Sequence, residues 1–401
     1  MSTLTLTKTF TATATLGAWV TALKAAGAGV SNRPAVPVLS GVKIHQLGGY
    51  VAILGYDYET FAHADVIGGS GSGEAIVAPY KMLLDILTTA GKRATKRVSD
   101  AWSVTISHQG RAIVVDVNGS SFNVTALPAE EFPEVPAHTA TGTLRVDAAL
   151  FMRRMDSAMV AVSKDDTLPI LTGIKIEVAN GTMSFLSTDR YRLVLAEMPV
   201  QSHDEYRFLL RSKTWKAFKR VLSAKGGELL IRFTDELPAA KESWSSDVTH
   251  NRIGFRQGSV ELDTLTIDGQ YPKIRSLFPE SPEIVFEMDA DVLASMVASV
   301  SVTAERNTPV RFTYNGIDSL RIDAGTGEDT QGEAFMPYSS PRGNRGFAVA
   351  FNPAYLAEAL KDMKGHVIQI RHTSAPKPAS IVAVDSEASQ HLIMPVRLPG
   401  K

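Results

Sequence analysis

Side chains that often carry chemistry are present in this sequence, but their spacing matches no common reaction site. The nine histidines contain no pair at i, i+4, and the His-Glu-x-x-His, Gly-x-Ser-x-Gly and G-x-x-x-x-G-K-[ST] patterns are absent. The glycine-rich run from Gly68 lacks the spacing of a dinucleotide-binding turn and is expected to form a loop. Asp165 and Asp166 could hold magnesium, although a solvated turn explains them more simply. An enzyme is therefore poorly supported, and we expect no metal and no cofactor.

Basic residues are better organised than acidic ones. Lys213, Lys216 and Arg220 follow one another at spacings of three and four, which places them on one face of a predicted helix. Lys24 and Arg153 lie on two other predicted helices. A solvated helix face explains any one of them, whereas their recurrence favours a shared surface that faces a polyanion. The sequence leaves both interpretations open.

The C-terminal segment QHLIMPVRLPGK is unusually apolar for a chain end. Terminal residues are commonly polar and poorly ordered unless the fold holds them in place. A simple interpretation is an edge strand packed in the last core. The alternative is an adaptable binding surface, since methionine and proline supply apolar area at low entropic cost.

Composition limits the class of protein. The chain has 401 residues, of which 44% are hydrophobic and 21% charged, as expected for a globular protein of two to three domains. The formal net charge of -1 excludes a uniformly basic nucleic-acid binder, but not a protein with one basic face. The absence of cysteine excludes disulfides and thiolate sites. With no predicted signal peptide or membrane helix, we expect a cytoplasmic protein with no membrane partner.

The chain repeats itself three times. RPAVPVLSGVKIH from Arg33 and DTLPILTGIKIEV from Asp166 share a proline, a Ser/Thr-Gly pair and an alternating strand, and NTPVRFTYNGIDSL from Asn307 is a degenerate third copy. The corresponding prolines lie about 130 to 140 residues apart, which is the size of a domain. Together with the proline-rich segments between them, the repeats predict domains at residues 1–137, 142–281 and 282–401.

Each repeat has the same predicted elements. An apolar stripe at helical spacing follows a short strand, and a second helix comes later, beginning near Ala78, Arg211 and Phe351. Asn352-Pro353 is a typical helix start. Runs such as HVIQIRH alternate apolar and polar residues, as strands with one wet face do. The sequence thus predicts an α+β fold with two helices and antiparallel sheets in each of three domains.

In combination, these motifs resemble a known family. The two proline-glycine repeats, TDRYRL from Thr188, DGQYPKIRSLFP from Asp268 and the terminal LIMPVRL resemble the bacterial β sliding clamp, the processivity subunit of the replicative DNA polymerase. The match runs nearly end to end, with the motifs in the same order. The sequence is most similar to actinobacterial clamps or to a bacteriophage copy of one. For a phage copy, the resemblance implies the host cytoplasm. The resemblance implies a non-catalytic head-to-tail homodimer whose ring of three-domain chains encircles duplex DNA.

The resemblance also implies functional residues. It predicts an apolar pocket that binds short peptides of the polymerase, the clamp loader and repair proteins, formed by Leu171, Thr188, Tyr191, Arg192, Leu193, Pro272, Leu277, Asn352, Tyr355, Leu392, Ile393, Met394, Pro395, Val396 and Arg397. It also predicts sequence-independent DNA contacts from Lys24, Arg33, Arg153, Lys213, Lys216 and Arg220. Arg33, on the loop after the first helix, is the best individual match.

Three positions depart from the family pattern and bear on partner preference. Arg190 stands where relatives often have a small residue, Asn307 where some have an aromatic residue, and Ser276 where some have arginine.

Two rival functions also stay open at this point. One is a nuclease of the same machinery, which the lack of clustered carboxylates disfavours, and the other is a clamp-derived recruitment factor that does not load on DNA.

Overall fold

A computed structural model describes residues 10–135, 140–202, 204–234, 252–278, 281–302, 308–315, 317–324, 332–342, 347–374, 377–385 and 389–396. These residues contain seven α-helices and 26 β-strands. Antiparallel sheets dominate, because every strand pairing among them is antiparallel. No helix among the described residues has the length and apolar character needed to cross a membrane.

The helices follow the predicted pattern of two per repeat, with one short addition. They are α1 (Leu16–Ala26), α2 (Tyr80–Gly91), α3 (Lys96–Ser99), α4 (Ala148–Met159), α5 (Ser212–Phe218), α6 (Ala290–Ser301) and α7 (Pro353–Asp362).

The strands of the first repeat are β1 (Phe10–Thr15), β2 (Gly41–Leu47), β3 (Tyr50–Tyr56), β4 (Thr60–Val66), β5 (Ser70–Gly73), β6 (Ile76–Pro79), β7 (Ser103–Gln109), β8 (Ala112–Val117) and β9 (Ser120–Thr125). Those of the second are β10 (Gly142–Asp147), β11 (Gly173–Ala179), β12 (Thr182–Thr188), β13 (Arg192–Pro199), β14 (Tyr206–Arg211), β15 (Glu228–Thr234), β16 (Arg252–Gln257) and β17 (Val260–Leu265). Those of the third are β18 (Ile284–Asp289), β19 (Val310–Tyr314), β20 (Ser319–Ala324), β21 (Gly332–Pro337), β22 (Ser339–Arg342), β23 (Phe347–Phe351), β24 (Val367–His372), β25 (Ala379–Ala383) and β26 (Ser389–Ile393).

The repeated proline and glycine have a common structural role. In the first two repeats the proline opens a short 3-10 helix, at Pro37 and Pro169, and the glycine begins the next strand. A Cβ atom at Gly41 or Gly173 would come within 2.7 and 2.8 Å of neighbouring side chains. Glycine is therefore required there because the strand packs too closely for a side chain.

The chain forms two compact units. The first contains Met1–Ala149 and Lys213–Thr266, with sheets of order β5-β1-β7-β8-β9 and β10-β15-β16-β17-β4-β3-β2-β6. The second contains Leu150–Ser212 and Ile267–Lys401, with sheets of order β14-β11-β12-β13-β26-β25-β24-β18-β22 and β21-β20-β19-β23. The middle repeat thus contributes strands to both units, and the domain limits at 1–137, 142–281 and 282–401 stay a prediction.

The second helix of the middle repeat is shorter than predicted. It ends at Phe218, because the N–H groups of Arg220 and Val221 bond to carbonyls three residues back and close a tighter turn. Arg220 therefore lies beyond the helix that carries Lys213 and Lys216. A further difference is α3, a single helical turn that the sequence pattern did not predict.

The last strand, β26, connects two apolar cores of the second unit. It lies between β25 and β13, with Leu392 opposite Leu193 and Ile393 opposite Arg192. Neighbouring strand residues point to opposite faces. Leu392 accordingly packs in a cluster of the middle repeat, and Ile393 packs in the core of the third repeat.

A polar network beside β26 joins elements distant in sequence. The Asp362 carboxylate, on α7, accepts hydrogen bonds from the Ser157 hydroxyl on α4 (2.9 Å) and the Ser389 hydroxyl on β26 (3.1 Å), and it lies 2.8 Å from Nε2 of His391. Burial raises the pKa of the Asp362 carboxyl, but the hydrogen bonds and the nearby His391 outweigh it, so this pKa lies below its ordinary value of 3.8.

We expect Asp362→Ala to lower the free energy of unfolding by about 2–5 kcal/mol, since Ser389 and His391 lose their buried partner and each such loss costs about 1–3 kcal/mol, whereas the Ser157 hydroxyl can still donate to the Arg153 carbonyl oxygen. A folded-state pKa below 3.8 stabilises the fold above that pH, and this contribution is lost as the pH falls through the lower value. In urea unfolding, the stability difference between wild type and Asp362→Asn should therefore shrink below about pH 4. A difference that is constant from neutral pH down to about pH 3 would contradict this assignment.

Candidate functional site

The chain continues past β26 without leaving the surface of the second unit. The Met394 N–H donates to the Tyr191 carbonyl oxygen at 2.9 Å, and the Val396 N–H donates to the Ala350 carbonyl oxygen at 2.8 Å. These bonds hold Met394–Val396 against two other segments, so this part of the tail does not fray. Arg397, which was predicted to belong to the same site, lies outside the described residues.

The loop between β12 and β13 is closed by its own polar side chains. The Thr188 hydroxyl donates to the Arg192 carbonyl oxygen at 2.9 Å and accepts from the Arg190 N–H at 3.1 Å. Oδ1 of Asp189 accepts from the N–H groups of Tyr191 and Arg192, both at 3.0 Å. Arg190 has a φ of +81°, a left-handed conformation that costs a non-glycine residue about 1–2 kcal/mol. The loop geometry therefore forces a strained backbone at Arg190.

Two tyrosines and an arginine stack beside this loop. The Tyr191 and Tyr355 ring centroids are 6.3 Å apart at an interplanar angle of 24°, and the Arg192 guanidinium lies 4.5 Å from the Tyr355 centroid. Arg192 is buried and forms ion pairs with Asp189, at 2.9 Å, and with Glu358. Its charge is thus compensated, and it acts as a fixed support beside the rings.

Helix α7 positions Tyr355 through its first turn. The Asn352 side-chain oxygen accepts hydrogen bonds from the N–H groups of Ala354 and Tyr355, at 2.9 and 3.4 Å, as an N-cap residue does. Asn352 was predicted to line the pocket, and these hydrogen bonds give it a supporting role. Burial raises the pKa of the Tyr355 phenol, with a smaller contribution from Asp189, so this ring is neutral at physiological pH.

The predicted pocket residues divide by exposure into a support and a surface. The buried support consists of Leu171, Thr188, Arg192, Leu193, Leu392 and Ile393. Asn352, Tyr355 and Pro395 are not fully buried, and Pro272 is exposed. Four large apolar side chains face solvent: Tyr191 at 55%, Leu277 at 53%, Met394 at 40% and Val396 at 38% exposure.

The exposed side chains are attached to a rigid base. Tyr191 and Met394 are joined through their backbones, and the segment before Leu277 packs Ile274 into the same apolar cluster as Leu392. Exposed apolar side chains that are gathered on adjoining segments are typical of a binding surface for another apolar group, whereas single ones are common on any protein. We name Tyr191, Leu277, Met394 and Val396 the apolar rim.

The predicted DNA-contacting residues are largely solvent-accessible. Lys24 lies in the last turn of α1 and Arg33 in the loop after it, and Lys213, Lys216 and Arg220 are in the same compact unit. Arg153 is exposed on α4, in the other unit. Lys219, which was not among the predicted residues, is exposed next to Arg220. The sequence spacing could have identified Lys219, because it lies three residues after Lys216.

Three acidic residues of the site were not predicted as members of it. Asp189 closes the loop, Glu358 pairs with Arg192, and Asp165 has Oδ2 at 3.6 Å from the Arg190 guanidinium. Hydrogen bonds from the Thr167 hydroxyl and N–H, followed by the Arg190 charge, lower the pKa of the Asp165 carboxyl. The sequence places Glu358 one helical turn after Tyr355, but it gives no sign that Glu358 pairs with Arg192. Within the part of the chain that the structure describes, no three metal-ligating side chains cluster.

Comparison with known proteins finds matches along almost the whole chain. Family models of the DNA polymerase III beta subunit match at residues 16–136 (N-terminal domain), 145–273 (central domain) and 275–397 (C-terminal domain). The beta sliding clamp of Micrococcus luteus is 33% identical over 313 residues, covering 77% of this chain and 92% of that protein. The beta sliding clamp of Streptomyces coelicolor is 30% identical over 379 residues, covering 92% of this chain and 94% of that protein.

Solved structures share the fold. The DNA polymerase III beta subunit of Thermotoga maritima superposes with a TM-score of 0.83 at 22% identity, covering 97% of this chain and 100% of that chain. The sliding clamp of Pseudomonas aeruginosa bound to griselimycin gives the same TM-score and coverage at 20% identity.

The predicted resemblance and the three clamp domains are therefore confirmed, and the chain belongs to the DNA polymerase III beta subunit family, the bacterial beta sliding clamps.

Proposed function

We propose that this chain is a DNA sliding clamp. It encircles duplex DNA and tethers the replicative polymerase, the clamp loader and repair proteins through short apolar peptides, and it performs no catalysis itself. It works in the cytoplasm, or in the host cytoplasm if a phage encodes it. The observation that carries the proposal is the apolar rim, in which Met394 directly follows the buried strand β26 and bonds to the backbone of Tyr191.

The rim suits a peptide with two or three bulky apolar residues. Tyr191 and Met394 offer an aromatic face and a flexible thioether, which adapt to different side chains. Their backbones are fixed by the Met394–Tyr191 hydrogen bond, so the clamp gives up little entropy when a peptide binds. Hydrophobic burial supplies the affinity, so a partner needs only a short peptide motif to bind.

The strand edges support closure of a ring by a second copy. Within the first unit, β4 of the first repeat pairs with β17 of the second, and within the second unit, β13 of the second repeat pairs with β26 of the third. The strand of the third repeat that corresponds to β4 and β13 is β21, and the strand of the first repeat that corresponds to β17 and β26 is β9. Each of these two strands lies at the end of its sheet. A head-to-tail contact of this kind either closes or propagates. We infer that β21 pairs with β9 of a second chain, twice, in a homodimeric ring.

DNA binding follows from topology together with weak phosphate contacts. Exposed basic side chains on α1, α4 and α5 contact phosphates without reading base sequence. With a net charge of -1, the whole protein has little long-range attraction to DNA. Enclosure of the duplex retains the protein, and weak contacts allow it to slide.

Truncation of a rim side chain tests the peptide site. Met394→Ala should weaken binding of a fluorescein-labelled polymerase-tail peptide about tenfold, since the apolar area it removes from the interface is worth about 1–2 kcal/mol. Tyr191→Ala should act similarly, and the two changes should couple because both side chains touch one ligand. Ile317→Ala, which also removes an exposed apolar side chain, is the control. Unchanged anisotropy titrations for both rim variants would exclude this site.

A charge on the free edge of the third repeat tests the ring. Phe335, on β21, is 58% exposed at a sheet edge. Phe335→Glu should convert the dimer into a folded monomer in sedimentation velocity, because a charge on an edge strand opposes pairing. Val302→Glu places the same charge on another exposed apolar position and should leave the dimer intact. A monomeric wild-type protein would contradict the ring.

Neutralising basic side chains tests the mode of DNA binding. Replacing Lys213, Lys216 and Arg220 by alanine should flatten the salt dependence of direct binding, by up to about 0.9 in slope for each phosphate that is no longer neutralised. Loaded clamps should remain on circular DNA and slide off when the circle is cut. Equal retention on circular and linear DNA would count against enclosure.

A further inference from the structure

Arg190 is presented to solvent by a loop that is otherwise internally satisfied. The backbone N–H of Arg190 bonds to the Thr188 hydroxyl, and the Asp189 carboxylate holds the following two N–H groups. The side chain itself is about half exposed. A strained, non-glycine residue at a ligand-binding rim points to a role for its side chain, because glycine would fit this backbone without strain.

The guanidinium of Arg190 is only weakly engaged by the chain. Its described ion-pair partner is Asp165, at 3.6 Å between two partly exposed side chains, a type of pair that contributes little. Arg192, two residues further on, is by contrast buried and paired with two carboxylates. A guanidinium has five N–H donors, so Arg190 can still bind an incoming carboxylate in a bidentate manner.

Arg190 also adjoins the apolar rim. Its guanidinium carbon lies 5.9 Å from the centre of the Tyr191 ring, and the Tyr191 backbone holds Met394. A ligand that covers Tyr191 therefore comes within reach of the Arg190 guanidinium, which is neither buried nor closely paired.

We propose that Arg190 determines partner specificity by binding a carboxylate of the incoming peptide, so that the rim prefers peptides with an acidic residue beside the apolar anchors. This inference rests on the proposed peptide-binding function. In the free protein Asp165 lies near the guanidinium, and its carboxylate competes weakly with that of the peptide.

The test uses full-length protein and labelled peptides that share three bulky apolar residues. A single Glu or Gln is placed in turn at each position flanking these residues, and binding is measured by anisotropy. At one position at least, Glu should bind about three- to tenfold more tightly than Gln. This preference should decrease as salt is raised, because the pair is partly exposed.

Variants assign the preference to Arg190. Arg190→Gly should reduce the Glu-to-Gln affinity ratio to about one while leaving the Gln peptides within about twofold, and glycine tolerates the positive φ, so the fold is kept. Arg190→Lys should give an intermediate ratio, because a lysine cannot bind bidentately. Asp165→Asn should raise affinity for the Glu peptides alone. Lys361→Ala, which removes an exposed charge from α7, is the matched control and should leave the ratio unchanged.

Two results would overturn the proposal. One is a ratio near one at every position in the wild-type protein, and the other is an Arg190→Gly variant that weakens Glu and Gln peptides equally, as a purely structural residue would. If none of the peptides binds the wild type, the proposed function fails as well, whereas binding without acidic preference rejects only the role of Arg190.

Discussion

The pairing of β26 with β13 is the constraint on which the functional surface depends. This one strand places Leu392 and Ile393 in two different cores and delivers the next residue, Met394, to the backbone of Tyr191. A shift of the register by one residue would exchange the two core side chains and displace Met394 from the rim. The stability of the third repeat and the geometry of the binding surface therefore rest on the same set of hydrogen bonds.

The same strand-to-strand junction recurs along the chain. The β4–β17 and β13–β26 pairings each continue a sheet of one repeat into a sheet of the next. A protein built in this way has a free edge at each end of the series, and exposed edges favour pairing with another chain. The proposed closure by two chains would pair both of these edges.

The architecture was predictable from the sequence because its signals are local. The apolar stripes of α1, α4 and α6 and the Asn352 cap depend on residues within one or two helical turns, and the structure agrees with them. The repeat of Gly41 and Gly173 was visible in the sequence, but its cause was not, because the side chains that exclude a Cβ there include the distant Leu127 and Ile267. The helical position predicted for Arg220 was wrong because a helix end depends on a few backbone hydrogen bonds. Long-range polar partners were not predictable: Asp362 and Ser157 are separated by 205 residues, and Glu358 and Arg192 by 166.

The central claim is that the tail is at once a strand and a binding surface, and methyl NMR of the methionines tests it most directly. Met394 and Met82 are both exposed, but only Met394 belongs to the apolar rim. On titration with a peptide that carries bulky apolar residues, the Met394 methyl resonance should shift in step with binding while that of Met82 stays in place. A peptide that binds while the Met394 resonance does not move would contradict the account.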